Sequence, residues 1–230
     1  MKGELYIKLY MVQAKKLLKF KKLRHYFLNK FDLAESRFYR DICDKSIVCR
    51  QSHSARVAII NSTPDRNLNI DAMVTNRSLT FAIRTADCLP ILFYESKKKI
   101  ISAVHAGWKG LEKGIIRETL LKIYQIGGDP RYLVSGIGPH IGICCYNVET
   151  QRILKFVKKG FDSKIIAKNT QGSWHLDLAK IAQISMIKNG MKPINIETID
   201  DCTSCNQDYY SFRRNKNSNG RMFSIIGLTS

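Results

Sequence analysis

Leu89-Pro-Ile-Leu-Phe-Tyr94 and Ile100-Ile-Ser-Ala-Val-His105 are separated by the polar Glu95-Ser-Lys-Lys-Lys99. Near-continuous apolar runs of this length read as strands covered on both faces, with the charged segment as their turn. Upstream, residues 46–49, 56–60, 71–75 and 79–84 are further short β-type runs, and downstream so are 132–137, 194–199 and 222–226. From Leu111 to Gln125 the apolar positions Ile115, Ile116, Leu120, Leu121 and Ile123 fall mostly on one side of a helix. Gly127-Gly-Asp-Pro130 ends it. A second helix is expected over residues 148–157. A third starts at Trp174-His-Leu-Asp177, with Asp177 as N-cap and Gly190 as the stop. Strands alternate with helices and some are joined by short turns, so an α/β (α+β) chain with a mixed sheet is predicted. No repeat, low-complexity linker or clear domain boundary interrupts it.

Each central strand carries a potential metal ligand at its end. Thr85-Ala-Asp-Cys-Leu-Pro90 places Cys88 at the turn entering one strand. Val104-His-Ala-Gly-Trp-Lys-Gly110 places His105 where the other leaves the sheet. Gln51-Ser-His53 offers a second imidazole. One thiol and two imidazoles are the ligand set of a zinc site that keeps a coordination position open. Zinc or copper would hold Cys88 as its thiolate. Asp87, beside Cys88, is placed to orient a ligand or carry protons. Gly107 and Gly110 let a substrate approach the backbone, and the helix start with Lys109 favours an anion such as phosphate. His140 and His175 are competing imidazoles, read as residues behind the ligands or on the surface.

Asp208-Tyr-Tyr-Ser-Phe-Arg-Arg214 is the other chemistry-bearing stretch. Alternation predicts a strand with Tyr209, Ser211 and Arg213 on one face and Tyr210, Phe212 and Arg214 on the other. Two reading options stay open: arginines that grip a phosphate while a ring stacks on a base, or a strand edge with solvated arginines.

The 230 residues carry 38 basic against 19 acidic side chains, a formal charge of +19, which attracts polyanions. The basic residues are scattered in Lys-rich pieces, without helix-turn-helix or zinc-finger spacing and without an aromatic-rich RNA-binding strand. A solvated surface is therefore favoured over a nucleic-acid interface. Residues 1–45 form a divergent basic segment, legible as a basic strand, a membrane-surface helix or a solvated terminus. No run is long and apolar enough to cross a bilayer. Seven cysteines and no secretory pattern predict reduced thiols in a cytoplasm. Cys43, Cys49, Cys144 and Cys145 read by default as small buried hydrophobes. Cys202-Thr-Ser-Cys205 has CxxC spacing, but a structural zinc needs two more ligands and a redox pair needs a suitable helix start.

Four motifs in order, T-A-D-C-L-P-I-L, V-H-A-G-W-K-G, G-I-G-P-H-I-G-I-C-C-Y-N-V-E and Y-Y-S-F-R-R with a following G-R, resemble the laccase-domain family. That family is also described as multicopper polyphenol oxidase and as purine nucleoside phosphorylase. The resemblance runs from about Gln51 to the C-terminus and places the family domain at residues 46–230. It implies a single domain of layered mixed β-sheets flanked by helices, similar to the catalytic domain of cytotoxic necrotizing factor toxins. It implies one zinc on His53, Cys88 and His105, with copper less favoured. The implied activity is phosphorolysis of adenosine, inosine and methylthioadenosine, together with adenosine deamination. Purine nucleosides and phosphate are then the partners, and Lys109, Arg213 and Arg214 the expected phosphate or ribose contacts. One departure stands out: the family's Q-V-H-G is here Gln51-Ser-His-Ser54.

Overall fold

A computed structural model describes residues 12–63 and 68–229. Its strands are β1 (Leu23–Phe27), β2 (Ile47–Val48), β3 (Val57–Ile59), β4 (Ala72–Thr75), β5 (Thr80–Thr85), β6 (Leu89–Glu95), β7 (Ile100–Ala106), β8 (Leu133–Ile137), β9 (Ala167–Thr170), β10 (Ser173–Leu176), β11 (Ile196–Thr198) and β12 (Met222–Leu228). Its helices are α1 (Lys15–Leu18), α2 (Lys30–Glu35), α3 (Arg37–Lys45), α4 (Trp108–Glu112), α5 (Ile115–Gln125), α6 (Thr150–Val157), α7 (Ser163–Ile166) and α8 (Leu178–Lys188).

The hairpin β6–β7 sits at the centre, paired from Leu89↔Ala106 to Glu95↔Ile100, and every residue of both strands is buried. It lies within a six-stranded sheet of order β11-β8-β6-β7-β4-β3. A second sheet has the order β1-β12-β5-β2. Both are mixed, because β11–β8, β3–β4 and β2–β5 run parallel and the other pairs antiparallel.

Side-chain alternation explains why both faces of the hairpin had to be apolar. Leu89, Ile91, Phe93, Val104 and Ala106 share one core with Ile116, Leu120 and Ile123 of α5 and Ile181 and Met186 of α8. Leu92, Tyr94, Ile101 and Ala103 face the other way, into a core shared with Phe81, Ile83 and Ile226 of the second sheet. Tyr39 and Cys43 of α3 join a third cluster with Ala82 and Ile225 on that sheet's outer face. The result is four layers, helix, sheet, sheet, helix. Each fully buried Leu, Ile or Phe in them contributes about 1.5–3 kcal/mol.

Several expectations need correction. The helix expected over 111–125 is two helices, α4 and α5, because Gly114 takes φ +88° between them. Trp174–Leu176 is not the start of a helix but strand β10, paired with β9. Asp177 does cap α8, accepting from Lys180 N at 2.8 Å. Tyr209–Arg214 is not a strand. Its turns are held by backbone contacts of its own arginines, described below.

The basic N-terminal segment joins the layers from Val12 onward. Residues 1–11 lie outside the described part. Strand β1 pairs with β12 from Leu23↔Leu228 to Phe27↔Ser224. Ala14 and Leu17 are fully buried beside Gly136 of β8. Asn29 caps α2, accepting from Phe31 N and Asp32 N, while Asp32 accepts from Asn29 N.

Among the described residues, no helix is long and apolar enough to cross a membrane.

A candidate metal centre at the end of the central hairpin

Register places the key residues together. Ala72 of β4 pairs with Val104 of β7, so the preceding Asp71 lies beside His105, whose N–H donates to Asp71 O at 2.8 Å. On the other flank Leu89 pairs with Ala106, which sets Cys88 against Gly107. His53 arrives on the loop before β3, with φ +57°. Its backbone N–H donates to Asp71 Oδ1 at 3.0 Å, so Asp71 fixes that loop through its carboxylate and the strand end through its backbone carbonyl.

One ligand atom each from His53, Cys88 and His105 lies within 4.8 Å of the others, and His53 Nε2 is 3.7 Å from Cys88 Sγ. The two imidazoles meet edge to face, with centroids 4.8 Å apart. His105 is buried, Cys88 half-buried and His53 exposed, so the group opens to solvent on the His53 side. Gly107 makes this packing possible. A Cβ there would sit 2.9 Å from Cys88 Sγ and 3.0 Å from His53 Cδ2.

Asp71 is the residue the sequence did not single out as functional. It is fully buried, and His105 Nδ1 lies 2.8 Å from its Oδ1. It also accepts from Ser52 N, His53 N, Ser54 N and the Ser54 hydroxyl, the last at 2.6 Å. The Ser54 side chain thus adds a donor to this carboxylate. Burial alone would raise the Asp71 carboxyl, but the hydrogen bonds from His105 and Ser54 outweigh it and hold the group far below the usual range. The only advance signal was one acid opening an apolar strand.

The charges of the group are coupled. Burial would raise the Cys88 thiol, but His105, with help from His53, brings it down to about 6. Burial would lower His105, but Cys88 and Asp71 lift it to about 9. Without a metal, the favoured state is a thiolate beside an imidazolium.

Asp87 is buried at φ +91°. Its Oδ1 accepts from the Thr203 hydroxyl at 2.7 Å, its Oδ2 from Arg213 N at 2.6 Å, and its carbonyl from Ile141 N at 2.9 Å. Both carboxylate oxygens therefore hold the C-terminal loop. The guanidinium of Arg213 donates to the carbonyls of Cys145 and Asn147 and lies 5.2 Å from the Tyr146 ring centroid. That of Arg214 donates to the carbonyls of Thr203, Ser204, Asn206 and Tyr209. The two arginines hold loops, whatever else they touch. Lys109 is exposed in α4, with Nζ 5.8 Å from the Trp108 ring centroid. Arg152 and Lys155 flank the same ring at 4.4 and 5.2 Å.

His140 is buried with Nδ1 2.8 Å from Gly138 O, and His175 Nδ1 is 2.8 Å from Ile143 O. Neither joins the ligand group. Cys43 and Cys49 are buried, as expected. Cys144 and Cys145 are not: one is exposed, one half-buried, and both turn toward Cys202 and Cys205. The turn that carries them packs Ile141 and Tyr146 into the main core, with Cys145 against its edge, and leaves Cys144 at the surface.

Comparison with known proteins follows the same outline. Over 183 residues the chain is 34% identical to a protein of Clostridium acetobutylicum named purine nucleoside phosphorylase, covering 77% of this chain and 74% of that one. It is 29% identical over 197 residues to a protein named adenosine deaminase RL5, from an unknown prokaryotic organism, covering 80% and 75%. The crystal structure of YlmD from Geobacillus stearothermophilus has the same fold, with TM-score 0.81, 22% identity and 94% of each chain covered. The sequence model described as multi-copper polyphenol oxidoreductase laccase matches residues 32–229, which span β12, the central hairpin and every residue of the ligand group, and the chain belongs to that family.

Proposed function

We propose that this chain is a purine nucleoside enzyme. It cleaves adenosine, inosine and methylthioadenosine with phosphate, giving free base and (methylthio)ribose 1-phosphate, and it deaminates adenosine. The relatives named purine nucleoside phosphorylase and adenosine deaminase support the substrate class. The single observation that carries the chemistry is the convergence of His53, Cys88 and His105 with Asp71 behind His105.

The donor set fits zinc. A thiolate and two imidazoles leave a coordination position open, and the carboxylate on Nδ1 turns the other nitrogen of His105 toward the group. Bound there, zinc would supply a Lewis acid that lowers the pKa of water. Among the described residues the second ligand cluster is made of thiols alone, which does not build the His-rich cluster of a multi-copper oxidase.

This chain's residues divide the remaining work. Asp87 acts as a positioning residue, since its oxygens hold Thr203 and Arg213 next to Cys88. Arg213, lying over the Tyr146 ring, orders the wall of the site. Lys109 and its neighbouring cations at Trp108 supply positive charge for phosphate. Arg214 shapes the loop that carries Arg213. The exposed edge of His53 is where substrate enters.

The test is an assay of adenosine with and without phosphate, on protein whose metal content has been measured. Phosphate-dependent release of adenine supports the reading, and inosine formation supports the deaminase arm. Inertness toward nucleosides, with phenol oxidation on copper loading, would overturn it in favour of a polyphenol oxidase.

A further inference from the structure

A second group of ligands lies outside the proposed catalytic centre. Cys144 and Cys145 come from the turn after Ile141, and Cys202 and Cys205 from the loop after Asp201. Some 60 residues of chain separate the two pairs, yet all four sulfurs lie within 4.8 Å of one another. Cys145 Sγ and Cys144 Sγ stand 3.3 and 3.6 Å from Cys205 Sγ. A tetrahedral zinc with Zn–S bonds of about 2.3 Å sets its sulfurs roughly 3.8 Å apart. The observed spacing is close to that edge, and all four thiols are free.

The backbone around the cluster is organised as a thiolate site requires. The Gly142 N–H donates to Cys202 Sγ at 3.2 Å. Cys145 N and Tyr146 N both donate to Gly142 O at 3.0 Å, which folds the first pair into a tight turn. Cys205 N donates to Cys202 O at 3.1 Å and Asn206 N to the same oxygen at 2.9 Å, which folds the CxxC. A lone CxxC lacks two ligands, and the opposite turn supplies them.

We propose that Cys144, Cys145, Cys202 and Cys205 hold a structural Zn²⁺ that staples these two loops together. Four thiolates close its coordination shell, so this ion activates no water. Its role is positional. Thr203, between the two cysteines of the CxxC, holds Asp87 next to Cys88. Cys145 O and the Tyr146 ring hold the Arg213 guanidinium. Opening the cluster would release both supports of the catalytic wall at once.

The experiment is elemental analysis of the full chain purified without oxygen or chelator. Two zinc ions per chain are expected in the wild type, one for each ligand group. Cys205→Ser and Cys144→Ser should each hold one; both cysteines are exposed, so either change spares the core. His53→Ala should also hold one. After cobalt substitution, the strong visible absorption of a tetrathiolate site should survive in His53→Ala and vanish in Cys205→Ser. A wild type whose zinc content does not fall in either cysteine variant overturns the proposal. So does a Cys145–Cys205 disulfide found by intact mass in the protein as purified. Failure of the catalytic centre would read differently: the zinc content would not fall in His53→Ala.

Discussion

Asp71 Oδ1 and His105 Nδ1 face each other at 2.8 Å across the β4–β7 pairing, and both residues are buried. An ionised carboxylate only accepts hydrogen bonds, so Nδ1 carries the proton and Nε2 is left as the ligand. Asp71→Asn retains the shape but not the charge. Zinc affinity of the centre, measured by chelator competition, is expected to fall roughly 10–100-fold. Unchanged affinity would show that the carboxylate does not set the ligand.

Gly107→Ala tests the same centre sterically. The new methyl group would press on Cys88 Sγ at 2.9 Å and on His53 Cδ2 at 3.0 Å. The expected result is lost nucleoside turnover and zinc at the His53 group, with the far-ultraviolet dichroism retained. Full activity in that variant would mean that the two ligands part without consequence.

Metal removal should expose a reactive thiol. Cys88 titrates near 6, so in the metal-free protein it is mostly thiolate at pH 7, and its reactivity should fall as pH drops through about 6. Burial pushes Cys49 to about 11 and Cys43 to about 12, so both should stay unlabelled. Peptide mass analysis after brief iodoacetamide treatment reads this directly. Added zinc should protect Cys88, and labelling equal with and without zinc would contradict ligation.

Acid should act on a different buried histidine. His25 is fully buried in β1, its Nε2 accepts from Ala14 N at 3.0 Å, and its Nδ1 has no partner among the described residues. Burial lowers it from 6.5 to about 4. The folded state thus binds this proton less readily than the unfolded state, and stability is full above about pH 6.5. It declines as pH falls toward about 4, by roughly 3 kcal/mol in total. Denaturant melts at pH 7 and 4.5 should show a larger loss for the wild type than for His25→Gln. Parallel losses would exclude His25 as the cause.

What was legible in the sequence follows from range. The β6–β7 hairpin needed only its own residues, since two apolar runs and a charged turn define both strands and their burial. Cys88 and His105 were visible because each interrupts such a run at its end. Asp71 was not, because its role depends on a neighbouring strand 34 positions away. The partnership of Cys202 and Cys205 with Cys144 and Cys145 was hidden for the same reason, and a CxxC taken alone looks incomplete. The 111–125 helix kept its apolar face in the sequence, but one left-handed glycine divided it. Tyr209–Arg214 alternated like a strand while its guanidinium groups took backbone carbonyls as partners.

The strand Met222–Leu228 lies between β1 and β5, paired on both edges. A ribosome therefore makes both outer rails of this ladder about 140 residues or more before the rung that joins them. Until that segment emerges, β1 and β5 are unsatisfied edges, open to pairing with neighbouring nascent chains. Emergence of that strand, or shielding by a chaperone until it emerges, thus closes this route to aggregation.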